Sequence, residues 1–166
     1  SANPGLEPDL FGSNIGFRTV LPYCWDCTIV PPVQETLICP FTKDPNKHNL
    51  VVVTHGWIPK ESGQTSPPNP DWVDGMTNLI QKYLTSNGLS DWQVEAFKWK
   101  DKAWLTWSEA LLQGVVLDNA EKEGGNLGGC IGRQGWSHVH LIGHSAGAAV
   151  IQTASEMIKD PSGSPS

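Results

Sequence analysis

A serine does chemistry only where something lifts its hydroxyl clear of the chain and something else takes its proton. Ser145 has the first of these. It is the centre of Gly143-His144-Ser145-Ala146-Gly147, a G-x-S-x-G motif. Apolar Val139, Leu141 and Ile142 come before it, and Ala146, Ala148, Ala149 and Val150 follow. The motif therefore joins an expected strand to an expected helix, the setting of a nucleophile elbow. There the serine tips a strained turn, Gly143 and Gly147 leave room where strand and helix pass, and the helix N-terminus favours developing negative charge. Such a serine attacks a carbonyl carbon once a base activates it. A second constellation, His55-Gly56-Trp57, ends the apolar run Leu50-Val51-Val52-Val53-Thr54. Acyl transfer needs two N–H donors aimed at the oxyanion, and the residue after the nucleophile plus a residue of an earlier strand-end loop can supply them. The candidate donors are the backbone N–H groups of Trp57 and Ala146. His55 and Gly56 would shape that loop, His55 by hydrogen bonding, and His144 would pack beneath the turn.

No base accompanies the serine. All five histidines, His48, His55, His138, His140 and His144, precede it. His138 and His140 alternate with Val139 on the strand leading to the motif, far from its tip. Downstream, Glu156 and Asp160 fall on or at the end of the next helix, pointing away from the serine. No metal site is expected, because Cys24-x-x-Cys27 has neither a second C-x-x-C nor an H-x-x-x-H to complete four ligands. No organic cofactor is implied either. Glycines 124, 125, 128, 129, 132 and 135 lack the G-x-x-x-x-G-K-[ST] of a phosphate cradle and read as a turn-rich connector.

Positioning these groups requires strands and helices in alternation. Residues 1–16 read as a lead-in arm, and 17–49 as edge strands interrupted by Pro22, Pro31 and Pro32. The core spans 50–159, and 160–166 form a tail. The unalternating run at 50–54 predicts a strand buried on both faces. Residues 58–70 are too rich in proline for helix or ladder and read as a long loop, functional or mobile. Asn69 is placed to cap a helix with Pro70 at its first position. Trp72, Val73, Met76, Leu79, Ile80, Tyr83 and Leu84 then form a helical stripe that Asn87-Gly88 closes. A strand over Trp92–Trp99, a helix from Trp104 to about Lys122 stopped by Gly124-Gly125, a strand over His138–Ile142 and a helix over Ala146–Lys159 follow. This order predicts an α/β fold with a mostly parallel central sheet flanked by helices, in one domain.

Composition narrows the partners. The 166 residues carry a net charge of -6 and a pI near 5.2, the opposite of the basic stripe that phosphate backbones select, so no nucleic-acid partner is expected. No apolar run approaches the roughly 20 residues of a transmembrane helix. Four cysteines, Cys24, Cys27, Cys39 and Cys130, permit three pairings if oxidised and lean slightly toward an extracellular setting. The chain starts at Ser1 with no signal-like stretch, as a processed protein or fragment would.

The chain resembles the α/β-hydrolases and, among them, the lipases related to pancreatic and lipoprotein lipase. The resemblance rests on Val51-Val52-Val53-Thr54-His55-Gly56-Trp57, on Phe97-Lys98-Trp99-Lys100, and on His138-Val139-His140-Leu141-Ile142-Gly143-His144-Ser145-Ala146-Gly147-Ala148. It covers about residues 50–158. Ala146 stands where those lipases usually carry Leu, which leaves esterase and phospholipase chemistry open beside lipase. The resemblance implies a partial α/β-hydrolase fold and a serine hydrolase acting on carboxylic esters, of lipid or acyl type. Ser145 would be its nucleophile and Trp57 and Ala146 its oxyanion donors. In that family the acid and then the histidine follow the serine. Both are therefore expected outside this sequence, on a missing C-terminal segment or a second chain that completes the sheet, and this chain alone is expected to be inactive. The alternative is a non-catalytic hydrolase-like binding module that keeps the turn as scaffold.

Overall fold

A strand with no polar face has nothing to offer water, and β1 (Asn49–Thr54) is buried at all six positions. The structure, a computed structural model, describes residues 39–159. The arm at 1–16, the strand pieces expected between 17 and 38, Cys24 and Cys27, and the tail at 160–166 lie outside the described residues. After β1 come β2 (Ile58–Pro59), α1 (Asp71–Ser86), β3 (Trp92–Phe97), α2 (Lys100–Ala103), β4 (Trp104–Leu105), a π-helical turn (Ser108–Leu112), α3 (Val115–Arg133), β5 (His138–Gly143) and α4 (Gly147–Lys159). The class is α/β, with a small parallel sheet of order β3-β1-β5.

Register is what makes this sheet a platform. Asn49 lies opposite Trp92 on one side and His138 on the other, and Thr54 lies opposite Phe97 and Gly143. The three strands therefore end level. The segments that leave them, His55-Gly56-Trp57, Lys98-Trp99 and His144-Ser145-Ala146, emerge at one rim, the carboxyl end where parallel sheets place ligands. Leu50 and Val52 point into a core formed with Ala120 and Leu127 of α3 and Val150 and Ala154 of α4. The alternate residues Val51 and Val53 face the other side, covered by α1, whose Val73 is fully buried.

Two helices differ from expectation. α1 starts one residue late, with Pro70 at the cap position and no side-chain cap. Its end is as its residues predict: Gly88 takes φ 74° and the Leu89 N–H reaches back to the Leu84 carbonyl, a Schellman closure. Only part of its apolar stripe is buried. Val73 and Leu84 face the sheet, while Trp72, Met76, Leu79 and Tyr83 stay exposed, because they lie about a quarter-turn round the helix from the face that meets β1 and β3. The second correction is larger. The first part of the helix expected over Trp104 to about Lys122 is instead β4 and the π-helical turn, and Gly114 at φ 70° restarts the chain into α3. α3 then runs through the glycines that read as a connector. A Cβ at Gly124 would lie 2.5 Å from the Val150 carbonyl oxygen, and one at Gly128 would lie 2.6 Å from that of Ala154. The glycines are the surface on which α3 and α4 touch. The loop after β1 also joins a ladder, since Ile58 and Pro59 of β2 pair with Trp104 and Leu105 of β4.

Cys39 and Cys130 form a disulfide with a sequence separation of 91, one of the pairings left open by the sequence. It ties the segment entering β1 to the last turn of α3, where the Lys43 ammonium also sits 4.6 Å from the Trp136 ring centre. Closing so long a loop removes unfolded-state entropy worth about 4 kcal/mol. Replacing Cys39 and Cys130 together by serine is expected to lower unfolding free energy by about 2–4 kcal/mol in urea titrations. An unchanged midpoint would show that the bond adds nothing to stability. Among the described residues, no helix is long and apolar enough to cross a membrane.

Candidate active site

The turn between β5 and α4 is built on missing side chains. A Cβ at Gly143 would collide with the Gly147 carbonyl; one at Gly147 would lie 2.6 Å from the His55 carbonyl oxygen. One at Gly56 would lie 2.6 Å from the Ser145 Cβ and 2.9 Å from the Ala146 nitrogen. Strand end, turn and helix start thus interlock through three glycines. Between them Ser145 takes φ 55°, the single positive φ outside glycine among the described residues. That conformation costs an L-residue about 1–2 kcal/mol. The His144 N–H to Thr54 carbonyl bond (3.2 Å), the Gly147 N–H to His144 carbonyl bond (2.9 Å) and the Ala148 N–H to Ser145 carbonyl bond (2.9 Å) hold it there. The serine is exposed, and its hydroxyl makes no hydrogen bond to another described residue.

The loop after β1 is pinned from three directions. The Trp99 indole N–H donates to the His55 carbonyl (2.7 Å), and its ring stacks on the imidazole at 5.6 Å with 12° between planes. The Trp57 indole N–H donates to the Leu105 carbonyl at 2.9 Å. His55 Nδ1 donates to the Gly56 carbonyl at 2.7 Å. A carbonyl can only accept, so Nδ1 carries the proton. The backbone N–H groups of Trp57 and Ala146 make no hydrogen bond to a described residue, and both flank Gly56, which abuts Ser145.

The other sequence candidates are placed less tightly. His144 is exposed with its ring 5.6 Å from that of Trp72, edge to face, rather than beneath the turn. Among the described residues β5 is the outer strand of the sheet on this side. His138 Nδ1 pairs with the Asn49 side-chain oxygen at 2.8 Å, at the opposite end of the strands from Ser145, and His140 is exposed on β5. No described histidine bonds to the serine. Among the described residues, no three His, Cys, Asp or Glu side chains are arranged to hold a metal ion.

Three contributors were not singled out by their sequence. Trp99 and the Leu105 carbonyl hold the loop, and a buried indole N–H does need an acceptor, but which one depends on tertiary packing. The third carried a readable signal. Thr106-Trp107-Ser108-Glu109 is a capping box: the Thr106 backbone N–H and hydroxyl donate to the Glu109 carboxylate at 2.9 and 2.6 Å. Those bonds, the hydroxyl's first, hold the Glu109 carboxyl below its ordinary range. They also fix the turn that brings the Trp107 ring 5.4 Å from that of Trp57.

Burial pushes the His55 imidazole below the ordinary histidine value of 6.5, the Gly56 hydrogen bond opposes this, and the Lys98 charge adds to the lowering. Below pH 6.5 the unfolded chain therefore binds a proton that the folded chain refuses. His55 contributes full stability above that pH and loses it progressively as pH falls toward the depressed folded value. Urea midpoints at pH 8 and pH 5 are expected to differ less in His55→Asn than in the parent; an equal difference would remove His55 from the acid response. No protein-family model matches the chain, and no curated protein or solved structure matches it.

Proposed function

We propose that the chain is the nucleophile-bearing part of a serine hydrolase of α/β-hydrolase type, acting on carboxylic esters of lipid or acyl character. The supporting observation is Ser145 itself: an exposed hydroxyl held at φ 55° beside two N–H groups with no partner among the described residues. Strained residues of this kind cluster at active sites, where the surrounding structure holds them in place. In the proposed reaction Ser145 Oγ attacks the ester carbonyl carbon while a base takes its proton. The Trp57 and Ala146 N–H groups receive the oxyanion, and collapse expels the alcohol, which regains the proton. Water then cleaves the acyl-serine by the same steps.

The base and its acid come, in this reading, from residues beyond β5 and α4. Among the described residues β5 is the edge of the sheet, and its half-buried Val139 and Leu141 face Ile151 of α4 across an open groove. A further strand, from a later segment or a partner chain, would complete this edge and bring an Asp or Glu and a His to the rim. The disulfide suits an oxidising compartment. The decisive experiment is a fluorophosphonate probe on the polypeptide with its completing segment present. Ser145 Oγ forms the bond to phosphorus as fluoride leaves, and mass mapping should find the label there. A folded, completed protein that binds esters but takes no label would instead be a binding module.

A further inference from the structure

The loop holds one buried group that the proposed reaction leaves unused. His55 is 2% exposed, its ring is clamped against Trp99, its Nδ1–H is spent on the Gly56 carbonyl, and its Nε2 has no partner among the described residues. It cannot be the base: its one free nitrogen is sealed from solvent, and it makes no bond to Ser145. Among the described residues, the one hydrogen bond its imidazole makes is therefore the one to the Gly56 carbonyl.

We propose that His55 is the positioning residue of the oxyanion site, fixing through Nδ1–H the peptide plane that carries the Trp57 N–H. The proposal rests on the reading of Ser145 as an acyl-accepting nucleophile. The Gly56–Trp57 peptide is trans, so its C=O and N–H point in opposite directions. Whatever holds the Gly56 carbonyl therefore aims the Trp57 N–H. Gly56 is glycine because the Ser145 turn leaves no room for a Cβ, and the same lack of a side chain lets the peptide rotate between wells closed to other residues. The His55 bond selects one of them. The clamp on the ring is independent of that peptide, since the Trp99 indole binds the His55 carbonyl and not the Gly56 one. Nδ1 is thus a fixed donor against which a mobile plane is set.

The chemistry chooses the test. In Asn the side-chain N–H sits where histidine Nδ1–H sits; in Gln it lies one atom further out; Leu has none. Two readouts are needed: the orientation of the Trp57 N–H vector from residual dipolar couplings, and the rate at which p-nitrophenyl acetate acylates Ser145 at alkaline pH, followed by intact mass. His55→Leu and His55→Gln are expected to turn the vector and slow acylation by about 10²- to 10³-fold, the cost of losing one oxyanion donor. His55→Asn is expected to keep the vector and remain within about tenfold of the parent. The glutamine variant serves if the leucine variant does not fold. An unmoved vector in Leu and Gln, or a moved one with acylation unchanged, overturns the proposal. If Ser145 takes no acyl group in any variant, the nucleophile reading fails instead, and the couplings alone still decide whether His55 holds the plane.

Discussion

On the proposed reading, Ser145→Ala is expected to abolish fluorophosphonate labelling and to lower ester turnover by at least about 10⁴-fold in a protein that includes the base and acid, with little change in fold. The magnitude follows from removing the atom that becomes covalently bonded; what remains is the oxyanion site acting on water, which in serine hydrolases leaves only a small residue of the acceleration. Without an added base and acid the chain should label slowly even with Ser145 intact, because a serine without a base stays protonated at neutral pH. A third variant separates strain from chemistry. Glycine adopts φ 55° without the Cβ penalty, so Ser145→Gly should be more stable than Ser145→Ala by about 1 kcal/mol while equally inert. Equal stabilities would mean that the turn is not strained, and the observation on which the functional reading rests would lose its force. Labelling that survives in Ser145→Ala would place the nucleophile elsewhere.

The elements that could be read locally were those whose pattern is enforced by one face or by none. Leu50-Val51-Val52-Val53 admits no solvent-facing side, so β1 could be recognised and placed centrally. Asn87-Gly88 is punctuation for a helix, and α1 ends there. The G-x-S-x-G spacing predicted a tight turn with two glycines at its base, and both meet backbone where a Cβ would be. What stayed hidden depends on contacts between distant segments. The level ends of β1, β3 and β5 come from register, which is set by packing on both faces and leaves no local mark. The partnership of Trp99 with the His55 carbonyl spans 44 positions. His144 was misplaced because its surroundings depend on what lies beside β5. Residues 124–132 misled for a related reason: glycine spacing is ambiguous between a flexible connector and a helix face against which another backbone must fit, and only α4 resolves it.

That ambiguity makes α3 the place where one substitution should have opposite signs a residue or a turn apart. Glycine costs a helix about 1 kcal/mol relative to alanine, so Gly→Ala gains that much wherever the added methyl meets nothing. Gly125 is such a site, where a Cβ would meet nothing among the described residues beyond the backbone of its own helix, and Gly125→Ala should be more stable than the parent by up to about 1 kcal/mol. At Gly128 the same methyl would lie 2.6 Å from the Ala154 carbonyl oxygen, 2.7 Å from the Met157 Cβ and 2.8 Å from the Ala154 Cα. These are backbone atoms and a Cβ, which no rotamer change can move. Relief requires α3 and α4 to part by about 1 Å to restore contacts near 3.5 Å. Parting them loosens the core at Leu127, Ile131, Val150 and Ala154, all almost wholly buried. Overpacking of this kind costs about 3 kcal/mol, against the 1 gained, so Gly128→Ala should lose about 2 kcal/mol. Gly128→Val adds two methyl groups to the same contact and should lose about 5 kcal/mol, the lower end of what holds a domain folded. Tryptophan fluorescence in urea should rank the proteins Gly125→Ala, parent, Gly128→Ala, with Gly128→Val unfolded in buffer. Because α4 begins at Gly147, two residues after the serine, Gly128→Ala should also slow Ser145 acylation when measured below its unfolding transition. A Gly128→Ala protein as stable as Gly125→Ala would mean that α3 and α4 do not meet through their glycines, and the helix that anchors the serine turn would have to be placed anew.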